Sequence, residues 1–240
     1  MVSLPDFISS TGRTVPVELR RRRGTRHLRL SYSLENRIVV SKPWHCSYRA
    51  CQKFIEQHRA WLEAQIGSSP EVIGVSEWLK QSPFLTVGGS RMEVGLQTSS
   101  GERAGYLIFP EQGRIEVKLP ESGGQHALTQ VIRKLAKQAL SERTMHLAGL
   151  HRLHPSRISV RNQSSRWGSC SSKRGISLNW RLILVAPELQ DYVILHELAH
   201  LTEMNHSKNF WRVLNGYDPE YRTHEEALGA LVPQLLWVIG

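Results

Sequence analysis

The chain has 240 residues, 40% of them hydrophobic and seven of them tryptophan. That excludes a disordered chain and is enough to bury one large core or two small ones. Lys and Arg number 31 against 21 Asp and Glu, a formal charge of +10, which favours polyanionic partners (nucleic acid, nucleotides or an anionic surface) without selecting one.

To about residue 45 the chain predicts strands: VELRRRRGTRHLRLSYS and NRIVVSKP carry β-branched and alternating residues around the turn-like SLEN. Ser47 suits a helix N-cap, and Cys51, Phe54, Ile55, His58, Trp61, Leu62 and Ile66 recur at helical spacing, so a helix is expected over about 48–66. FLTVGGSRMEVGLQ, GYLIFP and RIEVKLP read as strands of hairpins. The loop ESGGQ at 121–125 is the expected boundary between a β-rich N-terminal region, 1–120, and a second domain, 125–240.

The second domain opens with a long amphipathic helix, whose stripe is Leu128, Val131, Ile132, Leu135, Ala139 and Leu140. RISVRNQSSRWGSCSSKRGISLNWRLILV then predicts strands with a hairpin turn at Ser172–Gly175. Pro187 suits the first position of the next helix, with Glu188 and Asp191 in its first turn. Helix, sheet and helix together predict an α+β fold. The apolar runs LILVAP and YVIL are too short to span a bilayer, so no membrane partner is expected. The N-terminus lacks the order of a signal peptide. Cys46, Cys51 and Cys170 include no CxxC pair and suit reduced thiols, which predicts a cytoplasmic protein.

The last helix carries HELAHLTEMNHSKNFW. His196 and His200, four apart, share one helix face and can both reach a single zinc ion at about 2.0–2.1 Å. Glu197 beside them can deprotonate a water without being a ligand. Buried among Tyr192, Val193, Ile194, Leu195 and Leu198, this polar set would be costly unless a metal engaged it. His206 is the expected third ligand. On a continued helix it would point roughly 120° away from His200 and about 9 Å along the axis, so the helix must end first. Asn205 tolerates the left-handed conformation that ends helices, and Ser207 suits the cap of a following helix, KNFWRVL.

SRWGSCSSKRGISLNWRL followed by DYVILHELAHLTEMNHSKNFW resembles the YgjP-like family of zinc metallohydrolases, relatives of the Wss and SprT-like metallopeptidases. The resemblance is specific over about residues 160–212. It implies a zincin-like catalytic core of long helix, small sheet and HExxH helix, one Zn2+ ion held by His196, His200 and His206, and Glu197 as catalytic base. Glu203 stands where a metzincin would have glycine, which disfavours that assignment.

Arg166, Trp167 and Gly168 begin a strand expected at the cleft rim. An extended peptide could pair with it, and Gly168 would permit close approach. Cys170 has no activating base beside it in sequence and reads as structural. Arg166, Tyr217, Tyr221, Arg222 and His224 are the possible oxyanion donors. Asp191 and Glu203 could orient ligand imidazoles. Arg20–Arg23 with Arg26 and Arg29 form a basic cluster; on a strand one face could meet the phosphates of a nucleic acid, the alternative being a solvated strand face.

The motif's chemistry predicts a zinc metallopeptidase acting on polypeptide. The resemblance also implies an alternative, a nucleoside triphosphate pyrophosphatase acting on UTP, although the chain has no P-loop. Two further readings are a nucleic-acid-associated protease of SprT or Wss type and a nucleic-acid-binding module with a structural zinc. A structural site is closed and needs no base, so Glu197 argues against the last.

Overall fold

The computed structural model describes residues 4–21, 24–33, 36–69, 73–101, 103–122, 124–163, 166–235 and 238–239. They divide into two compact units, residues 1–72 and 73–240.

The first unit contains the hairpin β1 (Phe7–Ile8) and β2 (Thr14–Val15), then β3 (Val17–Arg21), β4 (Arg29–Tyr32) and β5 (Ile38–Lys42). β5 lies centrally, parallel to β3 and antiparallel to β4. Its Ile38-Val39-Val40 run is wholly buried, as a central strand demands. Helix α1 (Tyr48–Gln57) starts where the Ser47 side chain accepts from the Ala50 N–H, as its position predicts. The expected single helix is broken at His58, whose ring lies 2.8 Å from the Phe54 carbonyl, and α2 (Arg59–Ser68) follows. Cys51, Ile55, Leu62 and Ile66 close the core with Ile38 and Val40. In the basic cluster, Arg20 is bound by Glu18 at 2.7 Å, Arg26 and Arg29 are exposed, and Arg22 and Arg23 lie outside the described residues.

The second unit opens with β6 (Ile73–Gly74) and α3 (Val75–Gln81). A four-stranded sheet follows, from β7 (Phe84–Val87), β8 (Ser90–Ser99), β9 (Gly105–Phe109) and β10 (Arg114–Pro120), in the order β7-β8-β10-β9. Two of its pairings are hairpins, but β8 and β10 run parallel. Helix α4 (Gly124–Leu150) buries the expected stripe in one core with Ile115 and Val117 of β10 and Ile176 and Leu178 beyond it. The division therefore falls at 72/73 and not at 121–125. The apolar faces of strands 84–120 need α4 as cover, and each buried Leu or Ile contributes about 1.5–3 kcal/mol only when so covered.

β11 (Arg157–Arg161), β12 (Gly168–Cys170) and β13 (Gly175–Asn179) form a second sheet in the order β11-β13-β12, with β12 on its edge and antiparallel to β13. The turn at Ser171–Gly175 is closed by Ser171 N–H donating to the Gly175 carbonyl at 2.9 Å. A 3-10 turn, Trp180–Leu184, leads to α5 (Pro187–Ala199), α6 (Lys208–Tyr217), α7 (Tyr221–Leu235) and β14 (Val238–Ile239), which pairs with β6. The fold is α+β with a β-rich N-terminus. No described helix is long and apolar enough to cross a membrane.

Candidate metal centre

Helix α5 is buried on almost every side. Tyr192, Val193, Ile194, Leu195, Leu198 and Ala199 are all core residues, so its polar side chains have few directions open to them. Pro187 occupies the first turn, as predicted. The helix ends at Ala199, and the chain leaves through tight turns in which Leu201 and Thr202 N–H donate to the Leu198 and Ala199 carbonyls. Among the described residues the non-glycine positions with positive φ are Asn36, Arg152 and Arg174, and Asn205 is not one of them. Successive short turns make the exit that Asn205 was expected to make. Ser207 then caps α6, its side chain accepting from the Phe210 N–H.

This exit brings His206 back beside the helix. The Nε2 atoms of His196 and His206 are 3.0 Å apart. Ligand-capable nitrogens of His196, His200 and His206 all lie within 4.8 Å of one another. His200 Nδ1 is 3.0 Å from the Glu203 backbone carbonyl. Donation there fixes the tautomer and leaves the His200 Nε2 lone pair free for the cluster. Phe210, fully buried, lies under all three rings, stacked on His200 at 4.5 Å and edge-on to His196 and His206 at 4.9 and 4.7 Å.

Electrostatics keep His196 and His200 in ligand form. Burial lowers the His196 pKa to about 4, helped by His200 and His206, and burial also lowers His200. Neutral imidazole is the form that binds metal. Glu197 is 6% exposed, and burial raises its pKa from 4.5 to about 8, with Arg166 opposing the shift. His196 Nδ1 and Glu197 Oε2 are buried without a hydrogen-bond partner. Three converging imidazoles beside a buried carboxyl oxygen without a partner are a costly arrangement unless something engages them. They fit a cation.

The centre opens into a cleft of about 460 Å³, walled by the metal-centre residues together with Arg166, Gly168, Ser169, Cys170 and Met204. Gly168 is where β12 crosses Glu197. A Cβ at that position would lie 2.5 Å from Glu197 Oε1 and 2.6 Å from its Cγ, so only glycine lets strand and carboxyl approach this closely. Trp167 departs from the expected rim position and packs against the core. Of the five oxyanion candidates, only Arg166 lines the cleft. Tyr217 lies against His151, Tyr221 stacks on Trp211, Arg222 donates to the Tyr221 hydroxyl, and His224 pairs with Asp218.

Of the expected orienting residues, Glu203 acts through its backbone carbonyl. Asp191 instead accepts from Arg143 at 2.8 and 2.5 Å and touches no ligand. Arg174 was not foreseen. From the hairpin turn, at φ 61, it donates to the His154 carbonyl at 3.1 Å and the Leu201 carbonyl at 3.2 Å, tying β12–β13 to the loop after His200. Cys170 also lines the cleft, with burial first and Glu197 second raising its pKa.

A family model described as YgjP-like, metallopeptidase domain matches residues 26–230. Among solved structures, the crystal structure of the metallopeptidase zymogen of Pyrococcus abyssi abylysin is similar, at 24% identity and a TM-score of 0.35, over 38% of this chain and 92% of that one. No curated protein matches the chain. The match over most of its length means that the chain belongs to the YgjP-like metallopeptidase family and is a metallohydrolase.

Proposed function

We infer that the protein is a zinc-dependent peptidase in which His196, His200 and His206 hold one ion and Glu197 is the catalytic base. The observation that carries this reading is the buried, unpartnered Glu197 carboxyl beside three converging imidazoles at the floor of an open cleft. Three histidines leave a fourth position for water or substrate, the pattern of a catalytic and not a structural zinc site. A bound zinc ion supplies a lowered water pKa and polarises the scissile carbonyl.

Glu197 accepts the proton of the attacking water at a carboxylate oxygen and delivers it to the leaving amine. His200 is held in its donor tautomer by the Glu203 carbonyl. Phe210 keeps water from beneath the ligands. β12 is an edge strand along the cleft, so an extended polypeptide can pair with its free backbone groups. Cys46, Cys51 and Cys170 form no disulfide, which suits action in a reducing compartment such as the cytoplasm.

Metal analysis with a peptide-cleavage assay tests the assignment. Glu197→Gln is expected to keep one zinc per chain and lose turnover by 100-fold or more, on the order of a lost general base. His200→Ala is expected to lose both. Full activity in Glu197→Gln would overturn the mechanism.

A further inference from the structure

The cleft carries one basic side chain beyond the histidines, and its charge reaches Glu197, opposing the rise of that carboxyl's pKa. Arg166 is exposed, lines the cleft wall, and stands two residues before Gly168, the first residue of the edge strand β12. Its backbone carbonyl accepts from Asn179 Nδ2 at 3.1 Å, which anchors the main chain at that point. Among the described residues its guanidinium has no hydrogen bond and no ion pair. Other arginines of the unit are engaged: Arg143 holds Asp191, and Arg174 holds two carbonyls. Gly168, Ser169, Cys170 and Met204 complete the wall and carry no formal charge at neutral pH.

A guanidinium without a hydrogen bond or ion pair, carried at the rim of a cleft by a main chain that is itself held, can act as a bidentate receptor for a carboxylate. We propose that Arg166 sets substrate preference, and that the peptides this cleft takes carry a carboxylate close to the scissile bond. The carboxylate can come from an acidic side chain or from the chain end, and Arg166 reads both by the same fork geometry. The inference rests on the peptidase reading above for the position of the bond, but the contact itself is a binding contact and is measurable without turnover.

The test uses the zinc-loaded Glu197→Gln chain and fluorescein-labelled Ala/Gly hexapeptides, with one Glu walked along the peptide. Each peptide is made with a free or an amidated C-terminus, and binding is followed by fluorescence anisotropy. The best acidic peptide is expected to bind about tenfold more tightly than its Gln counterpart, or than its C-terminal amide if the chain end is read; tenfold corresponds to about 1.4 kcal/mol. The preference should fall as salt rises. It should vanish in Arg166→Gln, persist in part in Arg166→Lys, and turn toward Lys-containing peptides in Arg166→Glu, with zinc content unchanged in each. Sensitivity to the side chain alone would identify an acidic residue as the ligand, and sensitivity to the amide alone a terminal carboxylate. No binding, no acidic preference, or a preference untouched by Arg166→Gln would overturn the proposal. Failure of the peptidase reading looks different: binding preference would remain while the wild-type chain cleaved none of these peptides.

Discussion

The sheets β3-β5-β4 and β11-β13-β12 are built alike. In each, the last strand lies in the middle, parallel to the first and antiparallel to the second, which forms an edge. They differ at that edge. β4 reads Arg-Leu-Ser-Tyr, and its Tyr32 hydroxyl donates to Asn36 across its own turn. β12 reads Gly-Ser-Cys, and its glycine lies against the carboxyl of a buried glutamate on α5. The same strand arrangement serves as plain core cover in one unit and as the wall of the histidine-lined cleft in the other. Chemistry is set by a missing side chain and by the helix laid across it, while topology is common to both.

The contrast breaks most directly at Gly168. Gly168→Val would push side-chain carbon into Glu197 Oε1, and peptide turnover is expected to fall by at least 100-fold, in line with a misplaced general base. Ser31→Ala, in the small position of β4, is expected to leave turnover within about twofold, as a surface-type change does. Equal effects of the two would erase the distinction between the sheets.

Phe210→Ala comes next. It removes the ring packed against all three histidines and is expected to destabilise the chain by about 3–5 kcal/mol. Calorimetry should register this, together with weaker zinc retention in a chelator titration.

The pH dependence of the metal-free chain sharpens the comparison further. A carboxyl whose folded pKa is raised from 4.5 to about 8 favours folding below pH 4.5, and this contribution is lost as pH rises through 8. Above pH 8 the empty site must hold a buried carboxylate, at a cost on the order of a few kcal/mol. Metal-free Glu197→Gln is therefore expected to melt at a higher temperature than wild type at pH 9 and to show no such gain at pH 4. The histidines run the other way. His196 and His200 have lowered pKa values, so their contribution is present above pH 6.5 and lost as pH falls through the lowered values, about 4 for His196.

The smallest expected effect is that of Ser47→Ala. It removes the cap of α1 and should cost about 1 kcal/mol in denaturant unfolding, with turnover unchanged.

What the sequence made legible was local. The His196–His200 spacing, the caps at Ser47 and Ser207, Pro187 at the start of α5 and the stripe of α4 depend on residues within one or two turns, where helical geometry fixes the outcome. What it hid was distant or without a side chain. Strand β8 pairs in parallel with β10, a register that no hairpin turn announces. Arg174 meets Leu201 across 27 positions, and Asp191 meets Arg143 across 48. Asn205 had the right chemistry for a left-handed turn, but stacked tight turns had already ended the helix. Gly168 is expected from sequence to permit close approach at the cleft rim, and it lines the cleft, but that Glu197 is the group lying against it was not visible in sequence.

The most direct test of the central claim is product analysis by mass spectrometry. Zinc-loaded wild type and Glu197→Gln are incubated side by side with unfolded polypeptide and the common nucleoside triphosphates. Cleaved peptides that appear only with the wild type are the result the account predicts. Intact peptides, with nucleoside monophosphate and pyrophosphate formed in a Glu197-dependent way, would contradict it.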